Sequence, residues 1–209
     1  MRNKKDRIFV IKSTNYSEAD KIIQVFGRNR GRFSLLAKGI RKIVSKNRGN
    51  IQTFTISDIS YYESSGIPLL LESEQVAAVD YQKIETQNAR RVLELIHKLM
   101  VDESPNEKVF DSLEIIVREG SNEEMVNKFR TIFLVQEGML GNLSMCSLCG
   151  SSTDISIDKN SLEPYCAECI SSTKLNSSRF LKGNKEIYKN SDYTISLDKY
   201  IKKIIEQTT

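Results

Sequence analysis

The sequence predicts an α+β chain: a small closed barrel of five strands, then a helical region that carries a four-thiolate metal module. Three observations lead there. The first eighty or so residues read as short strands punctuated by turn residues, and after Asp80 the apolar period lengthens to that of helices. All 4 cysteines of the 209-residue chain fall in one short stretch as two Cys-x-x-Cys pairs.

The strand readings come in order. Arg7-Ile-Phe-Val-Ile-Lys is rich in β-branched and aromatic residues. Asp20-Lys-Ile-Ile-Gln-Val-Phe-Gly runs into the turn signal Arg28-Asn-Arg-Gly, and Arg32-Phe-Ser-Leu-Leu-Ala-Lys resumes alternation, so the pair reads as a hairpin. Phe54-Thr-Ile-Ser-Asp-Ile-Ser-Tyr-Tyr-Glu and Leu69-Leu-Leu-Glu-Ser-Glu supply two more strands. A closed barrel is the economical arrangement for short strands, because closure leaves no exposed edge. The segment from Gly39 to Asn50 is long, basic and glycine-punctuated, the place for a mobile loop.

Helical stripes follow. Ala89, Val92, Leu93, Ile96, Leu99 and Met100 mark a first helix, broken by Ser104-Pro105. Phe110, Leu113, Ile116 and Val117 mark a second, ending near Gly120. Ser121-Asn-Glu-Glu opens a third in the manner of an N-cap with acids in the first turn; Met125, Phe129, Ile132, Phe133, Gln136 and Leu140 follow. Leu197, Ile201, Ile204 and Ile205 mark a final amphipathic piece. The change of period places a domain boundary at residue 80, giving a barrel domain over 1–80 and a helical domain over 81–209 that embeds the metal module at about 143–171.

Cys146-Ser-Leu-Cys149 and Cys166-Ala-Glu-Cys169 are separated by sixteen residues, a spacing that lets two tight knuckles aim four sulfurs at one ion. Four thiolates leave no open position, so a bound Zn²⁺ would be structural. A redox pair expects a βαβ setting that this sequence lacks, and an iron–sulfur cluster is the competing ligand set.

Charge is segregated along the chain. Between Gly27 and Arg48 stand Arg28, Arg30, Arg32, Lys38, Arg41, Lys42, Lys46 and Arg48 with no acid among them, whereas Gly49 to Asp80 carries acids and no base. That pattern predicts one face that meets a polyanion, with the basic residues on the hairpin and the loop after it. Phe33, Tyr61 and Tyr62 are candidate stacking platforms for bases, although small barrels usually fill their interiors with such side chains.

Catalytic constellations are missing. The single histidine, His97, lies among Leu93, Ile96 and Met100 and reads as a helix-packing residue. Glu18 and Asp20 are too few for metal-dependent phosphoryl chemistry, and no phosphate-binding glycine loop is present. No apolar run approaches the roughly 20 residues of a membrane span, and Ile8 to Ile11 is too short for a signal core. The expectation is a cytoplasmic binding protein without catalytic residues.

The stretch Tyr16-Ser-Glu-Ala-Asp-Lys-Ile-Ile-Gln-Val-Phe-Gly-Arg-Asn-Arg-Gly-Arg-Phe-Ser-Leu-Leu-Ala-Lys-Gly-Ile-Arg-Lys resembles the opening of the RecO family of recombination mediators. Pro68-Leu-Leu-Leu-Glu-Ser-Glu looks like that family's last barrel strand, and helices and cysteines arrive in the family's order. The resemblance implies an OB-fold N-terminal domain and a helical C-terminal domain with the zinc module. It further implies a protein that binds single- and double-stranded DNA, anneals complementary strands, associates with RecR, helps load RecA, and recognises the C-terminal tail of single-strand DNA-binding protein. By position, Arg32, Lys38, Arg41 and Lys42 would meet phosphates, and Cys146, Cys149, Cys166 and Cys169 would hold zinc. Two other classes stay open from the residues alone: a zinc-ribbon accessory of transcription or translation, and a divergent metal-dependent nuclease.

Overall fold

In a computed structural model, residues 3–63, 65–80, 82, 85–173 and 176–208 are described. The chain divides into two compact units, Met1–Asn122 and Glu123–Thr209. No helix among the described residues is long and apolar enough to cross a membrane.

The first unit begins with β1 (Asn3–Asn15), β2 (Lys21–Gly27), β3 (Gly31–Ala37), β4 (Thr55–Tyr62) and β5 (Leu69–Ala78), closed in the order β1-β2-β3-β5-β4. Strand neighbours are antiparallel except β3 and β5, which meet in parallel at Leu36 and Leu69 to complete the barrel. Alternation explains the interior: Phe33, Leu35 and Ala37 of β3 point in and join Ile8, Val10, Ile23, Val25, Ile59 and Tyr61. Ile8 to Ile11 are all buried, so β1 is covered on both faces. Helices supply the outer cover: α1 (Thr86–Leu99) and α2 (Glu107–Glu119) both pack on β1, and Phe110 of α2 meets Phe26 of β2 at 5.7 Å between ring centroids.

The switch from strand to helix falls near residue 80, but the compact unit runs on to Asn122 rather than stopping there. The reason is this outer packing: a five-stranded barrel with apolar side chains on both faces of β1 needs α1 and α2 to keep water from the outer set. Asn106 caps α2 by accepting from the Val109 N–H, and Gly120 ends it at φ 111°.

The second unit holds α3 (Glu123–Gln136), a three-stranded antiparallel sheet in the order β7-β6-β8, the short α4 (Ala167–Thr173) and α5 (Ser191–Thr208). The strands are β6 (Ile155–Asp158), β7 (Pro164–Cys166) and β8 (Phe180–Lys182), so a small sheet accompanies the helices expected from sequence. A polar network joins α3 to α5: Asn127 donates to the Thr194 Oγ1 at 2.8 Å, Thr131 bonds the Tyr193 hydroxyl at 2.8 Å, and Arg130 pairs with Asp198. Burial raises the Tyr193 hydroxyl well above the ordinary phenol value, so it stays a neutral partner in this network.

Candidate nucleic-acid interface and metal centre

The basic run does not form a single patch. Gly31 closes the β2–β3 turn at φ +81°, and a Cβ there would lie 2.5 Å from the Ser104 backbone, so the hairpin tip sits directly on the α1–α2 connection. The Glu103 N–H donates to the Arg32 carbonyl at 2.9 Å and fixes that contact. On the other side, Asp6 accepts from the Asn29 backbone and side chain; burial pushes its carboxyl up, and those bonds work in the opposite sense.

The seat consumes three of the eight bases. Arg28 pairs with Glu107 at 2.7 Å and Asp111 at 2.9 Å, and Arg30 pairs with Glu103 at 2.6 Å while lying over the Phe33 ring. Arg32 pairs with Asp102 and donates to the His97 carbonyl at 2.7 Å. The exposed hairpin tip expected from sequence is therefore an internal seam of the first unit, its cations paired mainly with carboxylates that come after the barrel and, for Arg30, also with Glu63 between β4 and β5. His97 is exposed rather than packed, and it takes part through its carbonyl.

The other five bases have a different setting. Among the described residues, none of Lys38, Arg41, Lys42, Lys46 and Arg48 forms an ion pair, and all five are exposed. Their loop is pinned, not loose. Gly39 N–H donates to Asp20 at 2.7 Å, Arg41 N–H to the Ala19 carbonyl at 3.0 Å, and Asn47 bonds both the Leu71 carbonyl and Ser73 on β5. Consecutive turns carry the chain from Gly39 to Asn50. Docking on β5 also brings Lys46 to a groove with Glu72 and Glu74, so the acids that follow Gly49 are not kept wholly apart from the bases.

In a separate cleft of about 400 Å³, Lys21, Arg41 and Arg48 are joined by Asn15, Gln52 and the core residues Ile40 and Ile51, and no acid lines it. Lys21 lay outside the run that sequence singled out. Its signal, a base at the start of the strand that precedes the hairpin, becomes visible only when β2 is placed beside the β3–β4 connection. Of the candidate stacking aromatics, Phe33 is 7% and Tyr61 2% exposed, and both belong to the barrel core; Tyr62 is half-buried.

In the second unit the four cysteines converge. The Gly150 N–H donates to the Cys146 carbonyl at 2.9 Å and Gly150 takes φ +74°, the tight turn that a Cys-x-x-Cys knuckle needs. Cys166 ends β7 and Cys169 stands in the first turn of α4, while the Ser147 N–H bonds the Pro164 carbonyl at 2.8 Å and holds the two knuckles together. All four Sγ atoms lie within 4.8 Å of one another, and the Cys149 and Cys166 sulfurs are 3.6 Å apart. A tetrahedral zinc–thiolate centre has sulfur–sulfur edges of about 3.8 Å. Burial opposes ionisation of Cys146, yet backbone N–H groups of Cys149, Cys166 and Leu148 bring its thiol down to about 6. Hydrogen bonding to the Cys166 thiol pushes Cys169 up to about 12. Four thiols aimed at one point cannot all ionise alone, and a cation at the centre would relieve that repulsion. The residues fit a metal ion.

The first unit is a closed five-stranded barrel with a cationic cleft, and the second carries a four-thiolate module. Residues 1–79 match the family model described as "Recombination protein O N terminal". The chain is 28% identical over 72% of its length to the DNA repair protein RecO of Shouchella clausii (strain KSM-K16), and 26% identical over 86% to that of Desulforamulus reducens. It is 26% identical over 77% to the DNA repair protein RecO of Listeria monocytogenes serotype 4b. These alignments span 61%, 73% and 66% of the respective relatives. The chain is thus similar to RecO proteins over most of its length, and its first 79 residues match that family's N-terminal model.

Proposed function

We propose that this chain is a cytoplasmic recombination mediator that binds DNA without cleaving it. It anneals complementary single strands and helps load RecA during recombinational repair. The observation that carries this reading is the acid-free cleft of Lys21, Arg41 and Arg48, with unpaired Lys38 and Lys42 beside it, on a barrel of the RecO N-terminal type. Phosphates are bound by such point charges with little regard to sequence, because the backbone is the same at every nucleotide. The four cysteines hold one structural zinc ion that orders the knuckles and takes no part in chemistry. RecR and the acidic tail of single-strand DNA-binding protein are the protein partners this reading entails.

A strand-annealing assay on complementary oligonucleotides, with and without Mg²⁺, tests it. Faster annealing that needs no Mg²⁺ and leaves the strands intact is the expected result. Cleavage in Mg²⁺ would make the chain a nuclease, and neither annealing nor cleavage would leave the zinc-ribbon accessory reading in its place.

A further inference from the structure

The three most exposed large apolar side chains among the described residues are Ile43 (90%), Val44 (87%) and Tyr16 (64%). Each stands within three residues, along the chain, of one that lines the cationic cleft. Tyr16 lies between Asn15, which lines the cleft, and Ser17, whose carbonyl accepts from Arg41 Nη1 at 2.9 Å. Ile43 and Val44 form the tip of the loop between Arg41 and Arg48, both of which line it too. Single exposed apolar residues are ordinary on a protein surface. That the three most exposed should all adjoin, in the chain, residues of one acid-free cleft calls for a common explanation.

From this placement we infer that Tyr16 and the Ile43–Val44 tip contact the bases of a single strand whose phosphates lie in the cleft: Tyr16 as a stacking platform, the tip as a wedge that separates neighbouring bases. The inference rests on the nucleic-acid reading above and assigns the base-contacting residues that Phe33 and Tyr61, being core, cannot supply. The surface favours bases over an acidic peptide. The cleft's own apolar members, Ile40 and Ile51, are buried in the barrel core and leave it a mainly basic and polar lining, whereas the exposed apolar groups project as knobs. The partner must therefore bring phosphates to the cleft and gaps or flat faces to the knobs. A stacked single strand offers both. The knobs are also held in place beforehand. Turns from Lys42 N–H to the Gly39 carbonyl (3.0 Å) and from Ser45 N–H to the Lys42 carbonyl (3.1 Å) shape the tip. Asn47 anchors its far side to β5, and β-branched Ile and Val are stiff at χ1. Little ordering is left to be done on binding.

Binding of the full chain to a mixed-sequence strand, to an abasic strand of equal length and charge, and to a strand bearing 2-aminopurine tests the inference. Wild type should favour the base-bearing strand over the abasic one. Tyr16→Ala should weaken the base-bearing strand by on the order of ten-fold and leave the abasic one unchanged, while Tyr16→Phe retains wild-type behaviour. Ile43→Ser with Val44→Ser should suppress the rise in 2-aminopurine fluorescence that accompanies unstacking. An unchanged thermal midpoint confirms that these exposed substitutions spare the fold. Equal wild-type affinity for both strands, or equal weakening of both by Tyr16→Ala, would overturn base contact while leaving phosphate binding intact. A tip variant that unstacks bases as wild type does would overturn the wedge and assign the tip to a protein partner. Failure of wild type to bind either strand would remove the nucleic-acid reading itself, and this inference with it.

Discussion

Arg28, Arg30 and Arg32 at the β2–β3 hairpin, and Lys38, Arg41, Lys42 and Arg48 in and beside the β3–β4 connection, belong to one acid-free run, yet the fold treats them in opposite ways. The hairpin group meets Glu107, Glu103 and Asp102, carboxylates 70 to 79 residues further along the chain, and becomes the seam between barrel and helices of the first unit. The loop group meets no acid and lines or borders an open cleft. A run of positive charge is a property of the chain; a positive surface depends on which carboxylates arrive from elsewhere. Cations already hydrogen-bonded to carboxylates release fewer counterions when a polyanion approaches.

Four variants sharpen or break this contrast. The largest effect should come from the second unit. Cys166→Ser, or chelation, should release about one zinc per chain by elemental analysis and cost several kcal/mol in that unit, because metal binding is part of folding there. The salt dependence of DNA binding should stay as in wild type. Metal-free protein of unchanged thermal midpoint would remove the zinc assignment, and a changed salt slope would mean that the second unit also holds DNA.

Arg32→Ala should come next, at about 1 kcal/mol of stability by denaturant unfolding, since it strips a charged donor from the solvent-screened Asp102 and from the His97 carbonyl. Its salt plot should overlie that of wild type. A shallower slope would place Arg32 on the DNA after all and break the contrast outright.

The double variant Arg41→Ala with Lys42→Ala is the converse. If Lys21, Lys38, Arg41, Lys42 and Arg48 each meet one phosphate, log affinity for a single strand should fall with log salt at a slope of about −3.5. Removing two contacts should make the slope shallower by about 1.4 and weaken binding roughly 20-fold at about 0.1 M salt, for all sequences alike, with stability unmoved. Superimposable plots for variant and wild type would move the DNA to another surface.

The smallest effect belongs to Arg7–Asp58, an ion pair on the barrel exterior. Its hydrogen bond from Arg7 holds the Asp58 carboxyl below its ordinary value of 3.8. A lowered carboxyl contributes stability above that ordinary value and loses it as pH falls through the lowered one. Asp58 is half exposed, so Asp58→Asn should cost no more than about 0.5 kcal/mol at neutral pH, and the difference from wild type should vanish in acid. A larger cost, or one that persists in acid, would show that exposed pairs on this barrel are worth more than solvent screening permits.

Much of the molecule was legible before folding was considered, because the signals are local. Alternation in Arg32 to Ala37 put Phe33, Leu35 and Ala37 on one face, and the barrel interior holds all three. The stripe Phe110, Leu113, Ile116, Val117 is the buried face of α2, and the break at Gly120 is where it ends. The spacing of Cys146, Cys149, Cys166 and Cys169 marked two knuckles, since a two-residue gap lets both sulfurs of a pair aim at one point, and the fold brings the two pairs together. Period and spacing act over a few residues, and no distant partner is needed to read them.

Tertiary structure alone decided what faces the solvent. Leu95 fell outside the expected stripe of α1 yet is buried, and His97 was expected to pack yet is exposed, because the face a helix hides depends on what lies against it. The barrel unit extends to Asn122 for the same reason: its outer apolar surface has to be covered, and α1 and α2 cover it. Lys21 reaches the cleft only through the pairing of β2 with its neighbours, and the hairpin arginines stay charged but are paired with acids 70 or more residues away, Arg30 with Glu63 as well. Sequence by itself determined the elements and the two cysteine knuckles, whose physics is local. Which cations remain free to meet a polyanion is a sum over distant charges, and only closing the fold sets the distances in that sum.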